Sequence, residues 1–325
     1  MKVKTKSPAN IAFIKYWGKT NPRARVPQNN SISMCLSEMF SECEVEFRDD
    51  LKKDEINFVG EKVVKKKEIE RIVEVLDRVR KLGKTKLRAR VVTKNNFPKA
   101  TGIASSASGM SALTLAALSS LGIKMSQREL SKLSRLASGT ACRSISDGFV
   151  EWVKGENADS SYAKQLFMPD YWQICDVVAI VTKEMKKVSS TEGHALAETS
   201  PFYETRLRGM DKKIKEIKRA MKEKNFSEFG KIIEAEALSM HAVCITSVPS
   251  IIYWNKTTLT IIKKVMEWRK GGEIESYFTI DAGPSVHVIC REKDSKKIAQ
   301  RLRIIEGVKE VVINNPGIGV RVVST

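Results

Sequence analysis

Phe97-Pro98-Lys99-Ala100-Thr101-Gly102-Ile103-Ala104-Ser105-Ser106-Ala107-Ser108-Gly109 stands between a strand-like run and a helix-like run. Small residues crowd a turn, two adjacent hydroxyls follow, and apolar spacing then becomes helical. Small side chains let backbone N–H groups approach a ligand closely, and a helix N-terminus carries partial positive charge. Together they make a seat for phosphate. The stretch therefore predicts strand, turn and helix in that order, with a phosphorylated ligand, above all a nucleotide, at the turn.

Outward from that stretch the pattern stays mixed. Leu87, Ala89 and Val91 alternate as a strand entering the turn, and the helix after it runs to about Leu121 and stops at Gly122. Upstream, Asn10 to Trp17 reads as a strand entering a loop, with further strands around 31–36, 43–48 and 55–59. Ile69, Ile72, Val73, Leu76 and Val79 recur at helical spacing, which predicts a helix over 68–82 ending at Gly83. Ser126 and Glu129 are spaced as a capping box. Downstream, 176–181 is a buried-strand run, followed by helices through Met210–Met221, 227–242 and 256–270. Strands near 276–281 and 285–290, a helix over 294–304 and a strand over 308–313 complete the chain. With no internal repeat or low-complexity linker, two closely packed domains are expected, 1–183 and 184–325.

Composition narrows the function. The chain has 325 residues, 42% hydrophobic and 29% charged, as in an ordinary globular protein. Met1–Lys6 leads into Ser7-Pro8-Ala9-Asn10, not into a long apolar run, and no stretch approaches a membrane span. A cytoplasmic location with no membrane partner is expected. The six cysteines form no C-x-x-C pair and the three histidines are scattered, which argues against structural zinc. The net charge of +19 fits either a nucleic-acid binder or a basic surface around a site for small anions. Lysines alternate with glutamate and apolar residues along Lys212–Arg219, as on a solvated helix face. No basic–aromatic stacking platform, helix-turn-helix pattern or zinc finger is present, so no nucleic-acid partner is expected.

Four further clusters carry chemistry. Lys15-Tyr16-Trp17-Gly18-Lys19 offers two ammonium groups and a phenol as an anion clamp, or solvated lysines beside a core aromatic pair. Ser138-Gly139-Thr140-Ala141-Cys142-Arg143-Ser144 brings small residues and hydroxyls to one arginine, a group suited to a carboxylate or phosphate. The same run also reads as a helix end capped by hydroxyls. Ile280-Asp281-Ala282-Gly283-Pro284-Ser285 sets a carboxylate at the end of an apolar strand, as a general base or as a turn-maker. Val188-Ser189-Ser190-Thr191-Glu192-Gly193 is a hydroxyl-rich loop that either contacts phosphate or is plain surface.

Jointly, these clusters resemble the superfamily of galactokinase, homoserine kinase, mevalonate kinase and phosphomevalonate kinase. Its second motif, Pro-x-x-x-Gly-Leu-x-Ser-Ser-Ala, stands at Pro98–Ala107 with Ile103 in place of Leu. Within it, Asn10-Ile11-Ala12, the Lys15–Lys19 cluster, the Ser138–Ser144 cluster, Val188–Thr191 and Asp281-Ala282-Gly283-Pro284 resemble the mevalonate diphosphate decarboxylase branch. The resemblance implies an α+β protein. An N-terminal ATP-binding α/β domain with a left-handed β-α-β crossover would join a ferredoxin-like C-terminal domain, with the active site in the cleft between them. It implies ATP as co-substrate, Mg²⁺ held mainly by the ATP phosphates with no dedicated protein ligands, and a homodimer.

It also implies a reaction. The 3-hydroxyl of mevalonate 5-diphosphate would be phosphorylated, and loss of that phosphate with CO₂ would give isopentenyl diphosphate. By the same resemblance Asp281 is the catalytic carboxylate, Lys15 lies beside it, and Arg143 and Asn10 lie near the substrate carboxylate. Tyr16, Lys19, Ser138 and Thr140 line the diphosphate pocket. Gly102, Ala104, Ser105, Ser106 and Ser108 meet the ATP phosphates, with Ser189 and Ser190 on the opposite wall. The chain departs from the family pattern at Thr140, Asp147, Ser285 and His194, where Ser, Gly, Asn and Met are more usual. Two neighbouring activities remain open at this stage, decarboxylation of the 5-monophosphate and 3-phosphorylation without decarboxylation.

Overall fold

The computed structural model describes residues 1–325 other than 22, 62–63, 99–104, 183–187 and 325. The strands are β1 (Lys2–Ile14), β2 (Lys19–Asn21), β3 (Val26–Pro27), β4 (Ser31–Arg48), β5 (Glu55–Phe58), β6 (Arg88–Asn95), β7 (Phe149–Val153), β8 (Tyr162–Phe167), β9 (Ile174–Ile180), β10 (Ser276–Thr279), β11 (Val286–Arg291), β12 (Glu310–Asn314) and β13 (Arg321–Ser324). The α-helices are α1 (Lys66–Leu82), α2 (Ser105–Ser120), α3 (Gln127–Ala137), α4 (Ser190–Leu196), α5 (Tyr203–Arg208), α6 (Met210–Lys222), α7 (Phe226–Thr246), α8 (Lys256–Lys270) and α9 (Ser295–Arg303).

A change of face within β1 positions the site. Up to Ser7 alternate residues are buried, and from Ser7 onward all are. The pairing with β4 shifts register between Pro8 and Asn10. One extra residue in a strand turns its side chains to the opposite face. Ahead of the shift, Thr5 Oγ1 donates to Ala112 O at 2.8 Å, and the Ser7 and Ser111 hydroxyls meet at 2.6 Å, tying the strand to α2. Beyond it, the even-numbered Asn10 faces the segment after α3, donating to Ser144 Oγ at 2.8 Å. The odd-numbered Phe13 packs edge-on against Phe229 of α7, with ring centroids 4.9 Å apart. β1 is thus covered on both faces and ends in the loop that carries Lys15.

β1 belongs to a seven-stranded sheet ordered β13-β1-β4-β6-β5, with β7 on β4 and β8 on β7. β5 and β6 pair in parallel, joined through α1, so this is the sheet's β-α-β crossover. A core of Val45, Leu76, Val91, Leu113 and Ala117 fills the space between this sheet and α1 and α2. The second sheet runs β10-β11-β9-β12, with every neighbouring pair antiparallel. In chain order it reads strand, helices, strand, strand, helix, strand, which is the expected ferredoxin-like arrangement. The α+β expectation agrees with this pair of sheets.

The expected division at 183/184 lies outside the described residues. Sheet membership changes earlier, between β8 ending at Phe167 and β9 starting at Ile174, and β13 returns to the first sheet. The strands expected at 31–36 and 43–48 are one strand, β4: burial alternates from Met39 onward, and Phe40 to Glu42 continue the pairing with β1 on the near side of the register shift. The Ser126–Glu129 box forms as read, with Ser126 Oγ accepting from Glu129 N at 3.3 Å and Glu129 accepting from Ser126 N at 3.1 Å. Among the described residues no helix is long and apolar enough to cross a membrane.

Candidate active site

Lys15 leaves β1 one residue after Ile14 and is 1% exposed. A buried ammonium is costly unless paired. Here Nζ donates to Ala12 O at 2.7 Å and to Asp281 Oδ1 at 2.8 Å. Asp281 stands on the turn between β10 and β11, so the ion pair joins the two sheets. Burial pushes the Asp281 carboxyl up, but Lys15 and Arg143 outweigh it and hold the carboxyl below the usual carboxylate range. Burial draws the Lys15 ammonium down from its ordinary value, with Asp281 opposing. His241 Nε2 lies 2.8 Å from Asp281 O. A carbonyl only accepts, so Nε2 carries the proton of a neutral ring, whose pKa burial lowers to about 3.

The main chain at Lys15 is held separately. Glu236, 0% exposed, accepts from Lys15 N at 3.3 Å and from Lys213 Nζ at 2.7 Å, and it pairs with Arg206. Arg206 also donates to Lys15 O at 3.1 Å, and Asn29 Nδ2 donates to the same oxygen at 2.9 Å. Glu236 sits on α7 in the apolar stripe with Phe229, Ile233 and Met240. An acid at a core position of a helix was the available sign that it has a buried partner. Glu236→Ala leaves two cations near the core without their acid. We expect a loss of about 3–5 kcal/mol, read as a lower urea midpoint; a change below about 1 kcal/mol, the range of surface pairs, would contradict this role.

A cavity of about 710 Å³ opens above the Lys15–Asp281 pair, lined from both halves of the chain. The first half contributes Lys15, Tyr16, Lys19, Ser105, Ser106, Ser138, Thr140 and Arg143, and the second contributes Ser189, Ser190 and Asp281. All of these were singled out in the sequence. Two others fall elsewhere, and one of the eleven acts otherwise. Asn10 does not line the cavity; its Oδ1 accepts from Arg143 Nε at 3.1 Å, so it orients the arginine from behind. Arg143 Nη1 donates to Ser31 Oγ at 2.9 Å, which fixes the guanidinium plane. Ser108 is fully buried and its hydroxyl meets Ser41 Oγ at 2.7 Å, so it is spent in packing α2 on β4. Ser189 lines the cavity, yet its hydroxyl caps α4, donating to Glu192 at 2.8 Å and accepting from Glu192 N at 3.3 Å. Gly102 and Ala104 lie outside the described residues.

The basic end of the cavity holds more than the sequence disclosed. Arg25, from the β2–β3 hairpin, and Arg71, from α1, line it beside Lys19. Burial and these two like charges bring the Lys19 ammonium down to about 8. Three cations gathered on one stretch of the cavity wall suit an anionic ligand. The Tyr16 hydroxyl, on the same wall, is buried with no hydrogen-bond partner among the described residues, and burial raises its pKa so that it stays protonated and able to donate. Ser105 and Ser106 open α2 at the other end, where the helix N-terminus favours negative charge. Among the described residues no group of three or more His, Cys, Asp and Glu side chains is placed to hold a metal ion.

Comparison with known proteins matches two family models. Residues 7–163 match the diphosphomevalonate decarboxylase-like N-terminal domain and residues 176–314 the mevalonate 5-diphosphate decarboxylase C-terminal domain. Diphosphomevalonate decarboxylase of Debaryomyces hansenii is 32% identical over 90% of this chain and 80% of its own length. Phosphomevalonate decarboxylase of Haloferax volcanii is 28% identical over 92% of this chain and 91% of its own. Among solved structures, mevalonate diphosphate decarboxylase from Staphylococcus aureus superposes with a TM-score of 0.93 at 34% identity, over 99% of this chain and 98% of that one. A structure described as MDDEF in complex with MVAPP, AMPPCP and magnesium superposes with a TM-score of 0.92 at 33% identity, over 100% of this chain and 99% of that one. Two domain models in the right order, near-complete superposition and a buried lysine–aspartate pair at the junction leave one assignment: the chain belongs to the mevalonate diphosphate decarboxylase family.

Proposed function

We propose that this chain catalyses the ATP-dependent decarboxylation of mevalonate 5-diphosphate to isopentenyl diphosphate, ADP, phosphate and CO₂. The observation that carries the reading is the Lys15–Asp281 pair, set between a helix N-terminus at one end of the cavity and a cluster of cations at the other. One end suits the phosphates of ATP, the other the diphosphate of the substrate, and the pair lies where the tertiary hydroxyl would meet the γ-phosphate. The relative bound to MVAPP, AMPPCP and magnesium supports ATP as co-substrate and Mg²⁺ as its metal.

The chemistry follows from these placements. Arg143, aimed by Asn10 and Ser31, takes the substrate carboxylate. Tyr16, Lys19, Ser138 and Thr140 hold the 5-diphosphate, and Ser105, Ser106 and Ser190 face the nucleotide. Asp281 accepts a hydrogen bond from the 3-hydroxyl and takes its proton as the oxygen bonds to the γ-phosphorus, while the bond from that phosphorus to the β,γ-bridging oxygen breaks and its electrons leave on ADP. Lys15 keeps that carboxylate ionised and balances charge on the moving phosphoryl group. Phosphoryl transfer has a loose transition state, so positioning and charge supply most of the rate. Mg²⁺, bound chiefly by ATP phosphates and water, would neutralise charge on the transferring group. The C3–O bond then breaks with the electrons leaving on phosphate. The C1–C2 bonding pair becomes the new double bond, and CO₂ departs. Asp281, ionised again once its proton is lost, stabilises positive charge developing at C3.

A second reading, action on the 5-monophosphate, has support from the Haloferax relative. The two differ in substrate preference. With ATP and Mg²⁺ present, kcat/KM for mevalonate 5-diphosphate is expected to exceed that for the 5-phosphate by about a hundredfold, the worth of one further charged phosphate contacted by Lys19 and its neighbours. A higher kcat/KM for the monophosphate would overturn the diphosphate assignment.

A further inference from the structure

His194 carries a donor that the mechanism leaves unused. It comes from α4 and packs across the loop bearing Lys15 to Lys19. Its ring centroid lies 4.2 Å from that of Tyr16 and 4.5 Å from that of Trp17. The preceding Gly193 permits this approach: a Cβ there would fall 2.6 Å from Tyr253 Oη and 2.7 Å from the Trp17 ring. The Gly18 N–H donates to His194 Nδ1 at 2.9 Å. A ring nitrogen that accepts carries no proton, so the neutral imidazole keeps its single proton on Nε2. Burial, then Lys19, Arg206, Arg143 and Arg25, hold this ring well below its ordinary pKa, so it is neutral while substrate is absent. His194 is part of the cavity wall, beside the unpartnered Tyr16 hydroxyl and close to Lys19.

We propose that His194 is a specificity-determining residue whose Nε2–H donates to the phosphorylated tail of the substrate, next to Tyr16 and Lys19. The assignment rests on the reading that this end of the cavity takes a diphosphate. Because Nδ1 is occupied by the Gly18 N–H, a second ring proton would break a backbone contact of the substrate loop. The groups facing the ring are Tyr16 and Lys19 from the loop after β1, Arg25 from the hairpin, Arg143 from the segment after α3 and Arg206 from α5. None of them is an acid that would favour imidazolium. His194 therefore reads phosphate oxygens by direction, while the lysine and arginines supply the charge.

Two variants test this. His194→Met has no donor and places there the residue more usual in the family. His194→Gln has an oxygen to accept from Gly18 and an amide to donate. The probes are inorganic pyrophosphate, by calorimetry with a non-hydrolysable ATP analogue saturating the nucleotide end, and mevalonate 5-diphosphate in steady-state assays. His194→Met is expected to weaken pyrophosphate binding and raise KM for mevalonate 5-diphosphate about tenfold. Its kcat and KM for ATP should stay near wild type, and His194→Gln should recover most of the loss. The ratio of the two KM values should stay flat between about pH 6 and 8, since the donor is uncharged. Unchanged pyrophosphate affinity in folded His194→Met would overturn the proposal. So would a loss shared equally by kcat and ATP binding and not rescued by glutamine, or a KM ratio that grows steadily as pH falls. Pyrophosphate binding is read without turnover. A wild-type protein that binds pyrophosphate through His194 yet releases no CO₂ from mevalonate 5-diphosphate would refute the proposed reaction and leave this contact standing.

Discussion

Asp281→Asn is expected to bind ATP and mevalonate 5-diphosphate with affinities within a few-fold of wild type and to turn over about a thousandfold more slowly or worse. The amide keeps the shape of the turn after β10 and still faces Lys15. It cannot take a proton from the 3-hydroxyl, and it brings no negative charge to stabilise C3 as the C–O bond breaks. Both losses fall in the transition state, so kcat drops while KM moves little. The wild-type ion pair of 2.8 Å also compensates the charge of the 1% exposed Lys15 side chain, so the variant leaves a buried ammonium with reduced compensation. Binding should therefore be measured directly, by calorimetry or fluorescence, on protein shown to be folded. Turnover within tenfold of wild type would remove Asp281 from the chemistry.

Lys15→Met is expected to lower kcat about a hundredfold and to move the acid limb of the rate profile to higher pH. The sign follows from the balance at Asp281. Burial raises its pKa, and Lys15 is the first of the cations that bring it below the ordinary carboxylate value. Methionine fills the space without the charge, so the burial effect is no longer fully opposed and the folded-state pKa rises. The ionised carboxylate that the reaction needs is then lost at a higher pH during acidification. Profiles of kcat/KM from about pH 5 to 9 for the two proteins check this, because that ratio reports the free enzyme. An acid limb at the same pH in both would show that Lys15 does not set the ionisation of Asp281.

The residues at element ends were the most legible in the sequence. Lys15, Arg143 and Asp281 each sit where a strand or helix stops and a short loop begins, and small or turn-forming neighbours mark such places locally. What the sequence hid was mostly long-range. Arg71 lies on α1, whose helical period discloses only the apolar face that packs on the sheet. Arg25 lines the same end of the cavity because β2 and β3 fold back, a placement with no local signature. The buried Arg206–Glu236 pair behind the Lys15 main chain joins two helices thirty positions apart. Ser108 and Ser189 show the opposite failure. A hydroxyl near a phosphate-seat motif serves equally to pack a helix or cap one, and the sequence alone does not separate these uses. Strand β13 was missed because its four residues are all exposed on the edge of the first sheet and show no alternation of buried and exposed positions.

Domain identity was legible for a different reason. The motif order carried the resemblance, and the second sheet then bore it out strand by strand. The +19 charge, which fits nucleic acid as well as small anions, gains a more specific meaning from the cavity. Lys19, Arg25, Arg71 and Arg143 gather on its walls, where they would meet one substrate and its phosphates.

The most direct test is the ratio of products. Purified enzyme given ATP, Mg²⁺ and mevalonate 5-diphosphate should release ADP and CO₂ in equal amounts from the first turnovers onward, because phosphorylation of C3–O and loss of the carboxylate are two stages at one site. ADP formed without CO₂ would contradict the account and make the chain a kinase whose product keeps its carboxylate.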